Sequence, residues 1–384
     1  MFTQTEIMDI LKQGENASVE FKTAGVRAES LAREMAAFAN SSGGIILVGV
    51  DDSGKIEGIE KNPKYEQWIM NIARNNVLPG LRVDFSFFEI EGKIIGLISV
   101  PKGKDKPYQA LNTYYIRVGS TNRQATQAEL MRLFQSAGIF HYDAVAVAGT
   151  SERDINLTRA DQYFQKYGIR FSEEDEESRH SLLINTDILT ESGEASVAGI
   201  LIFGINPLRR LPQSGISFAH FSDTQISSEL IDKQNIDGTL DFQIDTGLAV
   251  IKNNLRIPSD IAGAERKDKK ILPPDKVFRE LLVNACVHRN YSISGSKIRI
   301  FLFPDRMEFI SPGRLPNTVT VSKLKAGVSY AVNPVIVKFM ENLRYMDRLG
   351  RGLPMVWREM KQMGGEAEFK EIGEEFKVTL WYRF

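Results

Sequence analysis

Three acids and a lysine near the start of the chain have the types and spacing of a metal-dependent phosphodiester site. Glu15, Glu20 and Lys22 lie in or just before a predicted strand. Asp51 follows the next apolar strand. Carboxylates can fix Mg²⁺ or Mn²⁺, and a lysine can neutralise a nearby phosphate. The alternative is an ordinary surface, since Asp51-Asp52 also suits a hairpin turn and a Glu/Lys pair on a strand is usually solvated.

A second polar set occurs in the last third of the chain. Glu280, Asn284 and His288 are spaced i, i+4, i+8, which places them on one face of the helix predicted from Asp275 to about Asn290. A glutamate there can polarise a water against a γ-phosphate, and an asparagine one turn later can hold Mg²⁺. An ordinary amphipathic helix would give the same pattern.

Two glycines follow at the start of another predicted helix. Gly350 and Gly352 expose backbone N–H groups that could meet phosphate oxygens. A simple glycine turn would have the same sequence, so these glycines indicate a phosphate site only in combination with the helix that carries Glu280.

Composition limits the kind of protein. The 384 residues suffice for two or three domains, and the net charge is −1. Residues 1–135 contain 16 Lys and Arg and 16 Asp and Glu, so any nucleic-acid surface there must be local. The single cysteine, Cys286, excludes an internal disulfide and suits a reducing cytosol. With no leader and no apolar run of bilayer length, we expect a cytoplasmic protein without membrane contact.

The elements that must position these residues predict an α+β fold in three parts. We expect an α+β module over residues 1–137 and an α/β middle region over 138–268 that connects and orients the two ends. Over 269–384 we expect a further α/β domain, and its motif resemblance, given below, implies a two-layer sandwich. Within the middle region, the apolar run Val197–Phe203 predicts a buried strand.

The N-terminal motifs resemble the Schlafen/AlbA-type domain. They are E-N-A-S-V-E-F-K from Glu15, A-F-A-N-S-S-G-G, I-L-V-G-V-D-D, and Tyr114-Tyr-Ile-Arg-Val-Gly-Ser120. Some Schlafen proteins are metal-dependent RNases that cut transfer RNA with two glutamates and an aspartate. By this resemblance Glu15, Glu20 and Asp51 would be the metal ligands, and Lys22 would complete the catalytic set. Many prokaryotic members are instead regarded as nucleic-acid binders without cleavage.

The same module offers candidate nucleic-acid contacts. Lys22, Arg117, Ser120 and Arg123 are the side chains that we expect to meet phosphates of RNA or DNA. Arg117 is the strongest candidate, because it lies inside a strand rather than on a loop rim.

The C-terminal motifs resemble the divergent GHKL (Bergerat) ATP-binding domain. They are E-L-L-V-N-A-C-V-H-R-N-Y from Glu280, S-P-G-R-L-P from Ser311, Asn333-Pro334, and D-R-L-G-R-G ending at Gly352. The resemblance implies ATP as ligand, Glu280 as general base, Asn284 as Mg²⁺ ligand and a homodimer or higher homo-oligomer. Ser311, in Ser-Pro-Gly313, replaces the aspartate that usually reads the adenine amino group.

The residues that we expect to contact the nucleotide are Glu280, Asn284, His288, Ser311, Gly313, Gly350 and Gly352. The leading hypothesis is an ATP-binding protein whose N-terminal module binds RNA such as transfer RNA. If its acids hold a divalent metal, that module would also cleave the RNA, and the ATP site would control this cleavage. The enzyme activity would then be a metal-dependent endoribonuclease, a GHKL-type ATPase, or both.

The alternative is a non-catalytic, ATP-responsive DNA-binding transcriptional regulator. A third hypothesis is a scaffold or defence sensor whose ATP site is structural. A DNA or RNA target, hydrolysis of ATP and the biological trigger stay open.

Overall fold

The computed structural model describes residues 2–255, 272–328 and 330–381, and it confirms an α+β fold. The chain divides into two compact units, Met1–Phe140 and His141–Phe384. The predicted three-part division stays a prediction, and its second boundary, at 268/269, lies outside the described residues. Within these described ranges, no helix is both long enough and apolar enough to cross a bilayer.

The first unit contains four helices and eight strands among its described residues. In chain order they are α1 (Gln4–Gln13), β1 (Val19–Lys22), α2 (Ala28–Asn40), β2 (Gly44–Val48), α3 (Pro63–Asn75), β3 (Val77–Leu78), β4 (Asp84–Ile90), β5 (Lys93–Val100), β6 (Gln109–Ala110), β7 (Thr113–Val118), β8 (Thr121–Gln124) and α4 (Gln127–Ser136).

Two four-stranded sheets organise the first unit. One has the order β1-β2-β5-β4, with β1 and β2 parallel, and the other has the order β3-β6-β7-β8. Helix α2 packs against β7 and buries Leu31, Met35 and Phe38 in a core shared with β2 and β5. This packing brings Arg117 of β7 close to β1, although the two are about a hundred residues apart in sequence.

The second unit contains nine helices and six strands within its described ranges. They are α5 (Leu157–Gln165), α6 (Glu176–Asn185), α7 (Val197–Phe203), α8 (Pro207–Arg210), β9 (Ile216–Phe221), β10 (Leu230–Ile236), α9 (Leu240–Leu255), α10 (Asp275–His288), β11 (Ile298–Leu302), β12 (Arg306–Pro312), α11 (Val321–Lys325), α12 (Pro334–Asn342), α13 (Gly352–Gln362), β13 (Glu366–Ile372) and β14 (Glu375–Trp381).

One six-stranded sheet, with the order β10-β9-β11-β12-β14-β13, forms the centre of this unit. Helices α9, α10 and α13 pack together over it, and α10 also contacts β12. Because α10 buries Phe278, Leu281 and Leu282 in the core, its opposite polar residues are free to line a site. Strand β9 runs parallel to β11, so the predicted middle region contributes strands to the same sheet as the C-terminal residues.

The prediction of a strand at Val197–Phe203 was wrong, because these residues form α7. The Ser196 side chain caps the helix by accepting a hydrogen bond from the Gly199 N–H at 2.8 Å. All seven residues are buried, so the run carries no amphipathic period. A short apolar run of this kind is ambiguous between a buried strand and a buried helix.

Candidate functional site

A cavity of about 630 Å³ lies in the second unit, between α10, β12 and the segment that leads into α13. Its lining includes every residue that the motifs selected for nucleotide contact: Glu280, Asn284, His288, Ser311, Gly313, Gly350 and Gly352. These residues come from separate motifs that span more than 70 positions of sequence. The structure therefore brings together residues that spacing and motif resemblance had selected from separate parts of the sequence.

Helix α10 fixes the polar pair at the centre of this cavity. Pro274 precedes the helix, where its missing N–H is tolerated. One turn apart, the Asn284 side chain donates from Nδ2 to Glu280 Oε1 at 2.6 Å and to the Glu280 backbone carbonyl at 2.8 Å. Because the amide nitrogen is used in this way, Oδ1 of Asn284 is the atom that can ligate a cation.

The electrostatics of Glu280 differ from those of a surface glutamate. Burial raises the pKa of its carboxyl above the ordinary value of 4.5, the Asn284 hydrogen bond opposes this rise, and the negative charge of Asp347 adds to it. A carboxylate with a raised pKa is a stronger base than an exposed one. The arrangement therefore suits proton abstraction from a water molecule near neutral pH.

His288 contributes a neutral ring to the same wall. Burial lowers its pKa to about 4, so it carries no charge near neutral pH. A neutral imidazole can pack against a ligand or exchange a hydrogen bond, but it cannot neutralise a phosphate.

Ser311 lies near the end of β12, close to the same helix. Its Oγ donates to the Ala285 carbonyl at 3.1 Å, which leaves the oxygen lone pairs as acceptors. Gly313 follows with a φ of 125°, and a Cβ there would lie 2.9 Å from the Cβ of Asn290. The turn after Ser311 therefore requires glycine.

The glycine segment at the start of α13 lies very close to one backbone carbonyl and to one carboxylate side chain. Gly350 has a φ of 66°, and a Cβ there would lie 2.0 Å from the carbonyl oxygen of Gly327. A Cβ on Gly352 would lie 1.6 Å from Glu280 Oε1. Glycine at these positions thus keeps the loop tight and lets the Glu280 carboxylate sit against the backbone.

Sequence reasoning missed two parts of this site. Asp347 was quoted within a motif but was given no role, yet its Oδ1 accepts from the Leu349 N–H at 3.1 Å and its Oδ2 pairs with Arg351 at 2.7 Å. It thereby shapes the glycine segment, and its negative charge raises the pKa of Glu280. Gly327 carried no signal, because only its contact with Gly350 distinguishes it.

In the first unit, Glu20 and Lys22 belong to a buried charge cluster. Lys22 pairs with Glu20 and lies 3.4 Å from Glu34, while Arg117 lies 2.5 Å from Glu20 and 3.4 Å from Glu34. Asn122 also donates to Glu34. Two carboxylates and two cations thus neutralise one another.

The structure places the predicted phosphate contact Arg117 in the interior of the first unit. Its side chain is 1% exposed, and its guanidinium donates to the carbonyls of Asn16 and Val19 at 2.8 and 2.9 Å. It also stacks over Phe38 at 4.8 Å. The strand position that made it a candidate directs it into the protein, where it anchors Glu20 and the chain before β1.

The other two proposed metal ligands make separate local bonds. Glu15 Oε1 accepts from the Phe21 N–H at 2.8 Å. Asp51 Oδ1 accepts from the Ser53 and Lys55 N–H groups, both at 2.9 Å, in the hairpin-turn role, and the Ser53 hydroxyl bond is the largest cause of its lowered pKa. No group of three or more His, Cys, Asp or Glu residues that could hold a metal occurs among the described residues. Glu15, Glu20 and Asp51 therefore do not fit a shared cation here.

Two further predicted contacts lie on the surface. Ser120 is exposed in the turn between β7 and β8. Arg123 is exposed but forms a bidentate pair with Glu129 at 2.7 and 2.8 Å, and this pair lowers the pKa of Glu129 to about 2. A phosphate would have to compete with Glu129 for this guanidinium.

Two family models match the chain. Residues 15–126 match the model described as Schlafen, AlbA_2, and residues 295–380 match HATPase_c_4, described as "Putative ATP-dependent DNA helicase recG C-terminal". The chain therefore joins a Schlafen/AlbA_2 domain to a recG-like HATPase domain, which confirms the fusion that the motifs predicted. This combination indicates a nucleic-acid-related protein that binds ATP.

Solved structures add two weak likenesses. The crystal structure of the DIP2311 protein from Corynebacterium diphtheriae matches with 20% identity and a TM-score of 0.47, over 99% of this chain and 69% of that one. The solution structure of the N-terminal domain of a RecG-related protein from Nitrosomonas europaea matches with 26% identity and a TM-score of 0.27, over 33% of this chain and 95% of that one. No curated protein matches the chain.

Proposed function

We propose that the second unit binds Mg²⁺ and ATP in the cavity of about 630 Å³ and that the first unit binds nucleic acid. The observation that carries the proposal is the convergence of residues from separate motifs on one cavity. Small-molecule sites commonly have volumes of about 300–1,000 Å³, so the cavity is large enough for a nucleotide.

The residues present fit this ligand. Gly350 and Gly352 allow backbone N–H groups to approach phosphate oxygens without a side chain between them. Oδ1 of Asn284 is an oxygen donor of the kind that Mg²⁺ prefers. When bound, Mg²⁺ would neutralise charge on the phosphates. Ser311 offers acceptor lone pairs that suit the amino group of adenine.

In this proposal Glu280 activates the water that attacks the γ-phosphate. Its carboxylate is held by Asn284 and lies against Gly352, so its position is fixed by a hydrogen bond and by the backbone. Burial raises the pKa of this carboxyl, which strengthens the carboxylate as a base.

The glycine segment allows a direct test of nucleotide binding. We expect Gly350→Ala to weaken ATP binding by at least about tenfold, since the new Cβ would strike the Gly327 carbonyl and displace the segment. The measurement is calorimetric titration of the full chain with Mg²⁺ and ATP. Gly364→Ala is the matched control, because Gly364 also has a positive φ, of 75°, but has open space around it. Equal affinity in both variants, or no ATP binding by the unaltered chain, would contradict the proposal.

The pH profile of ATP turnover gives a second test. Because Glu280 must be ionised to act and burial raises its pKa, activity should fall at a pH above the ordinary glutamate value of 4.5. Asp347→Asn removes a negative charge that raises this pKa, so the acid limb should move to lower pH. An acid limb that stays in place in Asp347→Asn would argue against Glu280 as the titrating base.

For the first unit we propose nucleic-acid binding without a metal-dependent cleavage step. Lys22, Ser120 and Arg123 stay the proposed contacts, of which Lys22 is held by Glu20 and Glu34. Gel-shift titrations with duplex DNA and with transfer RNA, each with and without ATP, distinguish a DNA regulator from an RNA binder. If transfer RNA is cleaved in Mn²⁺ and Glu20→Ala abolishes this cleavage, the first unit does carry out a cleavage step and this proposal is wrong.

Gating by ATP, a homodimer and a cytoplasmic location stay predictions.

A further inference from the structure

Helices α11 and α13 of the second unit carry cations around an exposed tryptophan. α11 contributes two lysines and no acid, and α13 contributes an arginine, a lysine and one acid. That acid, Glu359, pairs with Lys276 at 2.8 Å and so does not cancel the charge. The exposed members of this set are Lys323, Lys325, Trp357, Arg358 and Lys361, which together are called the Trp357 surface.

Trp357 is partly exposed and lies beside basic side chains. Its side chain is 38% exposed, although tryptophan usually buries most of its area. The Lys325 ammonium lies 4.8 Å from the ring centroid, and the Lys361 ammonium lies 5.9 Å from it. Lys361 shares the helix face of Trp357 because it is four residues further on.

The ammonium groups beside Trp357, those of Lys325 and Lys361, have no acidic partner among the residues that the structure describes. Lys323 donates to the backbone carbonyl of Thr318 at 2.6 Å. The surface therefore presents uncompensated positive charge beside a flat aromatic ring.

We propose that the Trp357 surface binds single-stranded nucleic acid, with a base stacked on the indole and phosphates at Lys325 and Lys361. Proteins that bind single strands combine aromatic rings for stacking with cations that follow the backbone. A duplex keeps its bases within the helix and would leave the indole unused. This contact lies outside the first unit, where the proposed function places nucleic acid, and it does not depend on ATP binding.

The test uses the full chain and a fluorescein-labelled oligothymidylate of about 12 nucleotides, within the usual range of such sites. We expect Lys325→Gln/Lys361→Gln to weaken binding and to reduce the slope of log affinity against log salt by about 1.4, or about 0.7 for each lost phosphate contact. Lys166→Gln, at an exposed lysine of the same unit, is the control and should change neither value.

Fluorescence provides an independent readout of stacking. The chain has three tryptophans, so Trp68→Phe/Trp381→Phe leaves Trp357 as the only tryptophan, which can be excited selectively over tyrosine. We expect the unlabelled oligonucleotide to quench this emission. The proposal would be overturned if the oligonucleotide binds without changing Trp357 emission and if Lys325→Gln/Lys361→Gln has the same affinity and salt slope as the unaltered chain. That result would leave nucleic-acid binding by the first unit intact. Equal quenching by polyglutamate of similar length would also overturn it, in favour of an acidic protein partner.

Discussion

Glu280→Gln should lower the rate of ATP hydrolysis by about 10²–10⁴-fold, which is the usual contribution of a general base. Glutamine keeps the shape of the side chain and can still accept the Asn284 hydrogen bond at Oε1. It cannot take a proton from water at neutral pH. ATP affinity should therefore stay nearly unchanged, and steady-state turnover together with calorimetric binding separates the two effects.

Two comparison variants sharpen this expectation. Glu368→Gln alters a surface glutamate that pairs with Lys370 on β13, and it should leave turnover unchanged. Gly352→Ala should reproduce part of the loss, because the new Cβ would displace the Glu280 carboxylate, a flexible side-chain end, without blocking folding. Normal turnover in Glu280→Gln would remove this residue from the mechanism.

Arg117→Ala should destabilise the first unit by about 3–5 kcal/mol, the usual cost of removing one partner from a buried ion pair. The change leaves Glu20 and Glu34 buried with only Lys22 to balance them, and it removes the hydrogen bonds to Asn16 and Val19. The measurement is urea-dependent hydrogen exchange on peptides from the strands β1 and β2.

A matched control exists on the neighbouring strand. Arg123 on β8 also pairs with a glutamate, but its side chain is 44% exposed, so solvent screens the pair and Arg123→Ala should cost far less stability than Arg117→Ala. Burial raises the pKa of the Glu34 carboxyl above the ordinary value of 4.5. As the pH falls toward and below that value, Glu34 takes up a proton, and the loss of stability in Arg117→Ala should become smaller. Equal losses in the two variants would mean that the cluster is not the anchor of β1.

Periodicity was most informative where one helix carries the chemistry. The spacing of Glu280, Asn284 and His288 predicted a shared face, and the fold places all three on one cavity wall. Such a prediction works because the geometry of an α-helix is set locally. The glycine segment could be joined to this helix only through motif resemblance, since its contact with Glu280 is made across the fold.

Spacing was least informative where partners come from distant strands. Strand alternation correctly placed Glu20 and Lys22 on one face, and the two form an ion pair. It could not reveal that Arg117 and Glu34 complete the cluster, because those contacts depend on how α2 packs against β7. Glu15 and Asp51 looked like further ligands, yet each satisfies backbone N–H groups near its own position.

The most direct test of the proposed nucleotide site is a crystal structure of the full chain with Mg²⁺ and a non-hydrolysable ATP analogue. We expect phosphates against the backbone of Gly350 and Gly352, Mg²⁺ at Oδ1 of Asn284, and the adenine ring beside Ser311. The Glu280 carboxylate should then face the γ-phosphate. A nucleotide bound elsewhere, or a cavity without nucleotide at saturating analogue, would contradict it.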